Sequence, residues 1–348
     1  MEKTAAPEPS CARLWALGLI LVLTAAVWAQ NETGDDIRFR LRTRVDLVLV
    51  PVTVKDTDGN LVTGLERDDF RVLEDGVEQP IRHFSSDPFP LSAVILVDAG
   101  LEPAAQKTLQ ETLPVLAGVF GPRDEFSLTV FDAYPRPVLD FSRDPEALRL
   151  ALAALATETP AAPAAGSVTG GPMTAGPSIN TVPVGPGVPS PVPQAAKSVK
   201  CIHDALFAAG MALRAREPGR RRIVFLVSDG RNSRLNTHDF AETRELLLAE
   251  DISVYALGVG SARLALGTTV LSDYAGATGG DLYTPMKPEE LARAFKRVSE
   301  QARYQYTLVY AARPAPGGRE YRRLKVEVRQ PGVSVRAREG YFAGAPQH

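Results

Sequence analysis

Apolar and polar positions along this chain follow two different rhythms. From Ile37, the stretch "IRFRLRTRVDLVLVPVTV" alternates residue by residue. That predicts a strand with Phe39, Leu41, Val45 and Leu47 on one face and Arg38, Arg40, Arg42 and Arg44 on the other. "KDTDGNLV" predicts a hairpin turn at Asp58-Gly59, and "LEDGVEQPI" a second at Asp75-Gly76. Residues 37–86 are therefore expected to form a small β unit. Over 91–303 the rhythm changes to apolar runs, "SAVILVD", "EFSLTVFD", "RRIVFLVSD" and "ISVYALGVG". Helical periodicity separates and follows them at Pro103–Phe120, Pro145–Ala156, Ile202–Ala215, Asp239–Glu250 and Pro288–Arg303. Strand and helix in alternation predict an α/β fold, a mostly parallel sheet flanked by helices on both faces. Three further alternating runs, "YQYTLVYAA", "REYRRLKVEVRQ" and "VSVRAREGYF", predict strands over 304–343. Packed with 37–86, they would make one β-sandwich, with the α/β domain inserted between its halves.

One segment has neither rhythm. From Thr159 to Ala196 there is no charged residue, and proline and glycine recur. Such a stretch buries little, so it is expected to be a disordered or polyproline-like insertion, either an expanded loop or a docking arm.

Charge and cysteine usage narrow the function class. The 348 residues carry a formal net charge of −2, which gives no global attraction to nucleic acid or to an anionic membrane. The arginine row at 38–44 reads as a solvated face that keeps an edge strand from pairing, with binding of an acidic polymer as the alternative. Lys3 and Arg13 precede an apolar run from Leu14 to Val27, and small residues at Val27 and Ala29 fit cleavage after Ala29. Residues 1–29 are thus expected to be a signal peptide, because the run falls short of the roughly 20 residues a permanent span needs. A retained signal anchor is the rival reading. The expected protein is exported, periplasmic or extracellular, with no stable membrane span after cleavage. Cleavage removes Cys11 and leaves Cys201 alone, so no intramolecular disulfide can form.

Candidate chemistry gathers at the predicted strand ends, where open parallel sheets hold their ligands. Asp98, Asp132 and Asp229 all fall there. "VILVDAGLEP", "KCIHDALFAAG" and "FLVSDGRNS" resemble the three loop motifs of a von Willebrand factor A domain. The flanking "VPVTVKDTDGNLVTGLERDDFRVLEDGVEQPI" and "LKVEVRQPGVSVRAREGYFAG" are similar to the exported, acidobacterial type of that family. The resemblance covers nearly the whole chain after residue 29, except the proline-rich insertion. It implies a Rossmann-like α/β domain beside an Ig-like unit, and a binding function.

In metal-binding members of the family, a metal-ion-dependent adhesion site is built from Asp-x-Ser-x-Ser, a Thr and an Asp. Carried onto this chain, those positions are Asp98, Gly100, Glu102, Lys200 and Asp229, so both serines and the threonine are gone. A protonated lysine has three donors and no acceptor and cannot ligate a metal, but it can relieve the repulsion of the carboxylates around it. The expectation is a degenerate site without metal or other cofactor, held by an internal ion pair. The alternative is a rebuilt Mg²⁺ or Ca²⁺ site from Asp98, Glu102 and Asp229, with Lys200 turned to solvent.

Asp132 is read as a turn former or a second layer behind that site. Cys201 is read as a small buried residue rather than a thiol activated by a helix start. Asp204 is read as a first-turn acid that favours the helix dipole. No Gly-rich phosphate loop is present, and Ser228-Asp229 lacks the G-x-S-x-G context of a nucleophile elbow. The expectation is therefore an interaction or adhesion protein with an unknown protein partner and no nucleic acid, not an enzyme. A metal-dependent adhesion module and, further off, a hydrolase are the alternatives.

Overall fold

The computed structural model describes residues 47–157, 178–179, 182–183, 199–263, 270–285, 287–313 and 320–344. The expected signal segment, the arginine row and nearly all of the proline-rich insertion lie outside these residues. Within the insertion only a two-residue pair is described, β8 (Ser178–Ile179) against β9 (Val182–Pro183).

The centre is a six-stranded sheet. Its strands are β5 (Leu91–Asp98), β6 (Glu125–Phe131), β7 (Pro135–Ser142), β10 (Arg221–Ser228), β11 (Ile252–Gly258) and β12 (Leu282–Tyr283), in the order β12-β11-β10-β5-β6-β7. All neighbours pair in parallel except β6 and β7. Every residue of β5 is buried, as expected of a strand covered on both faces.

The period-2 pleat sorts its side chains into two cores. Leu91, Ala93, Ile95 and Val97 pack with Leu109, Leu148, Leu152, Leu291 and Phe295. These come from α1 (Pro103–Leu116), α2 (Pro145–Thr157) and α6 (Pro288–Arg303). On the other face, Val94 and Leu96 pack with Leu206, Leu247, Leu271 and Tyr274. These come from α3 (Ile202–Arg214), α4 (Phe240–Ala249) and α5 (Val270–Thr278). The mixed α/β architecture expected from the sequence is present, with a central, mostly parallel sheet. No helix among the described residues is long and apolar enough to cross a membrane.

The strands from the two ends of the chain are interleaved. β1 (Leu47–Lys55) and β4 (Ile81–Ser85) share a four-stranded sheet, β15-β1-β13-β4, with β13 (Tyr306–Ala311) and β15 (Ser334–Ala337). β2 (Phe70–Glu74) and β3 (Val77–Gln79) join β14 (Glu320–Val328) and β16 (Gly340–Ala343) in the order β16-β14-β2-β3. Val50, Val52, Phe70, Val72, Leu308, Tyr310, Leu324 and Tyr341 form one shared core. In its middle, the buried Glu74 carboxylate accepts from Tyr310 Oη at 2.7 Å, Tyr341 Oη at 2.8 Å and Arg322 Nη1 at 2.9 Å. These partners come from both sheets, so a single carboxylate ties them together.

Two strand expectations need correction. The alternation sets Leu47 on the apolar face opposite the arginine row, yet it is 51% exposed, while Val48, Val50, Val52 and Val54 are buried. The inward face of β1 is therefore the even-numbered one, because β1 must present its valines to the facing sheet. "VSVRAREGYF" is also not one strand. It divides into β15 and β16, which belong to different sheets. The switch depends on Gly340, where an added Cβ would stand 2.4 Å from the Arg322 carbonyl oxygen. Only glycine lets the two backbones approach so closely.

Candidate functional site

Two neighbouring strand ends and one helix start build the site. β5 and β10 pair in register, Val97 opposite Val227, so Asp98 and Ser228 emerge side by side. The Ser228 hydroxyl donates to Asp98 Oδ2 at 2.8 Å, and the Gly100 amide donates to Asp98 Oδ1 at 2.8 Å. One residue beyond Ser228, Asp229 Oδ1 accepts from the Arg231 amide at 3.1 Å. Lys200 arrives just before α3. Its Nζ stands 3.1 Å from Asp98 Oδ2 and 2.9 Å from Asp229 Oδ2, with its side chain only 5% exposed.

Both contacts are close but neither is angled as a hydrogen bond. The attraction is Coulombic and is strengthened by the dry surroundings. Burial pushes the Asp98 carboxyl above the usual carboxylate range, against the opposing pull of the Lys200 charge and the Ser228 hydroxyl.

Asp98, Lys200 and Asp229 are thus brought together, with Gly100 joined through its amide. Glu102 is not part of the cluster. It precedes α1, is exposed, and pairs with Arg231 Nη2 at 3.2 Å. Asp132 follows β6 and turns to the Arg136 guanidinium at 2.7 and 2.8 Å, while its carbonyl accepts from the Cys201 amide at 2.8 Å. It therefore shapes the turn and seats the start of α3. The Cys201 thiol is buried, and burial with the nearby Asp204 and Asp132 charges pushes it up, away from a reactive thiolate.

The donor set does not fit the metal ion of the adhesion site that the loop motifs resemble. Gly100 offers no side-chain oxygen, Glu102 faces its arginine, and an ammonium lies between the two remaining carboxylates. Among the described residues, no group of three or more His, Cys, Asp or Glu side chains is placed to hold a metal.

The loop after β10 carries partners that the sequence reading did not single out. Its asparagines cap α3 from outside the helix. Asn232 Oδ1 accepts from the Ile202 amide at 2.9 Å, and Asn236 Oδ1 from the Asp204 amide at 3.2 Å. Asp204 does more than favour the helix dipole. Its carboxylate accepts from the amides of Thr237 at 2.9 Å and His238 at 2.8 Å and meets His238 Nδ1 at 3.0 Å. The Ser233 amide completes the clasp by donating to the Lys200 carbonyl at 2.7 Å. The available signal was the turn-forming run "DGRNSRLNTHD", whose Asn, Ser and Asp side chains readily bond backbone. Tyr134 and Leu235, on the loops after β6 and β10, are 73% and 72% exposed.

No protein-family model matches this chain, and no curated protein does. Among solved structures, it is similar to proximal thread matrix protein 1 from the mussel byssus at 14% identity. That match covers 62% of this chain and 49% of the other, with a TM-score of 0.40. The chain thus spans about half the length of that protein. It is also similar to a von Willebrand factor type A protein from Catenulispora acidiphila at 12% identity, over 84% of this chain and 71% of the other, with a TM-score of 0.44. A third is the manganese-loaded TRAP protein of Plasmodium vivax, at 12% identity over 74% and 96%, with a TM-score of 0.39.

Proposed function

We propose that this chain is an exported von Willebrand factor A-type protein that binds a protein partner through its strand-end face, with a buried lysine where the family holds a metal ion. The observation that carries this reading is the position of Lys200 Nζ, within 3.1 Å of Asp98 and 2.9 Å of Asp229 and shut off from solvent. A fixed internal cation neutralises the strand ends and leaves no open coordination position for a partner's carboxylate. Recognition then falls to the rim, where Tyr134 and Leu235 offer exposed apolar surface and Arg231 an exposed guanidinium. Tyrosine and arginine side chains are among the usual anchors of protein interfaces. The fold reading is supported by the sheet order, with β7 alone antiparallel at the edge. We read the interleaved terminal strands as an Ig-like sandwich. Export rests on the N-terminal sequence, and the burial of the Ser228 hydroxyl, which donates to Asp98 out of reach of solvent, favours binding over catalysis.

The deciding experiment is a thermal melt of the chain with EDTA, Mg²⁺, Mn²⁺ and Ca²⁺. Beside it runs the Gly100→Ser, Glu102→Ser, Lys200→Thr variant, which restores the family's ligand types. The wild type is expected to ignore every ion, and the variant to gain several degrees with Mg²⁺, as linkage requires for a ligand bound only by the folded state. A wild type stabilised by millimolar ions would overturn the reading, even if the variant fails to fold.

A further inference from the structure

We propose that His203 is a proton-operated latch on the loop over residues 230–236, so that acidification frees this loop from the start of α3 and reshapes the strand-end face. The consequence for binding rests on the function proposed above. The latch itself is a property of the protein alone.

The hydrogen bonds fix the protonation state. The Ile202 backbone amide can only donate, so the atom of Asn232 that meets it at 2.9 Å must be the carbonyl oxygen. A second donor, Asn236 Nδ2, reaches the same oxygen at 3.0 Å. The other end of Asn232 is therefore its NH₂ group, and it stands 2.8 Å from His203 Nε2. That nitrogen must accept. The neutral ring consequently carries its proton on Nδ1, which meets the Tyr274 hydroxyl of α5 at 2.8 Å.

A proton added to Nε2 sets one N–H against another. Turning the Asn232 amide over would give the ring an acceptor but bring the NH₂ against the Ile202 amide and the Asn236 NH₂, so no orientation of Asn232 satisfies the protonated ring and these two donors together. Loop release is the remaining relief. The loop next to Asn232 carries Arg231, which pairs with Glu102 at the rim, and Ser233, which is bonded to the Lys200 carbonyl.

The surroundings of the ring agree. Asp204 on its own helix and Asp239 at the start of α4 are the charged groups that act on it. Tyr274 from α5 and Phe240 from α4 pack against it edge-on. Burial holds the imidazole below its ordinary histidine value, against the pull of those two aspartates. The folded loop thus excludes a proton that the released loop accepts, and acid favours release.

Release is confined by the Asp204 carboxylate, which accepts from the backbone amides of Thr237 at 2.9 Å and His238 at 2.8 Å and does not depend on the His203 ring. Thr237 and His238 therefore stay anchored while 230–236 opens.

Hydrogen exchange on the whole chain between pH 8 and pH 5 tests this. Protection factors at Ile202 and Ser233 are expected to fall by about tenfold per pH unit once the ring titrates, since one proton is coupled to opening. Those at Thr237 and His238 are expected to hold. His203→Gln, which offers Asn232 a non-titrating acceptor, is expected to lose the pH dependence. Unchanged protection in the wild type, the same pH dependence in His203→Gln, or equal loss at Thr237 and His238 would each overturn the latch. Failure of the metal melts or of partner binding would leave this readout untouched, so the two proposals fail separately.

Discussion

Lys200 and Asp229 form a buried charge pair, with 2.9 Å between Nζ and Oδ2, and Asp98 shares the same ammonium from the neighbouring strand. Removing the cation leaves two carboxylates facing each other out of water. Lys200→Met is therefore expected to cost about 3–5 kcal/mol at pH 7. The sign of the pH effect follows from Asp98, whose carboxyl burial already raises. Without the lysine it rises further and takes up a proton sooner, so the penalty shrinks as pH falls. Adding Asp98→Asn to Lys200→Met should recover most of the loss at pH 7. Urea unfolding at pH 7 and pH 5 checks both, and a cost below about 1 kcal/mol at pH 7 would show that the pair does not hold these loops together.

Glu125 sets an acid limb at the opposite end of the sheet. Burial pushes its carboxyl up, but the Arg216 guanidinium, bonded at 2.8 and 2.9 Å, the Ser92 hydroxyl at 2.7 Å and the Arg220 charge outweigh it and hold the group down at about 2. Because the folded value lies below the unfolded 4.5, the stabilisation is complete above pH 4.5 and is lost as pH falls from there toward 2. It is on the order of 2–3 kcal/mol. Glu125→Gln should lose about that much at pH 7 and show a flatter acid limb in a series of melts from pH 7 to pH 3. A variant with an unchanged acid limb would mean that other carboxylates govern it.

Gly340 is the point where the chain passes from one terminal sheet to the other. Its missing Cβ would meet the Arg322 carbonyl oxygen at 2.4 Å and the Tyr321 ring at 2.5 Å. Gly340→Ala is expected to cost on the order of 2–3 kcal/mol by forcing β16 off β14. Gly118, with open space around it, is the control, and Gly118→Ala should melt within about a degree of the wild type. Equal melting temperatures for the two variants would refute the close-approach argument.

The central sheet was legible because β5, β10 and β11 are buried on both faces, which leaves near-continuous apolar runs. β7 was not, since "PRPVLDFS" carries two prolines. These suit an edge strand that pairs only with β6, and read locally as a turn. α5 has nine residues, too few for the helical period to stand out from a loop. The register error at Leu47 has the same root. Apolar residues on both faces of "LVLVPVTV" leave the inward face undecided until a facing sheet selects it.

What the sequence by itself determined was the type of most elements, the parallel sheet, and the Asp98 and Asp229 positions at its strand ends, while the family resemblance set Lys200 beside them. Periodicity records which side of an element meets a core, and parallel strands place their final residues along one edge. Only the tertiary structure decided that Glu102 faces Arg231, that Asp204 clasps His238, and that Asn232 caps α3 while touching His203. Those contacts depend on how a polar loop lies across a helix start. A side chain's local pattern holds no record of which distant donor or acceptor will be set against it.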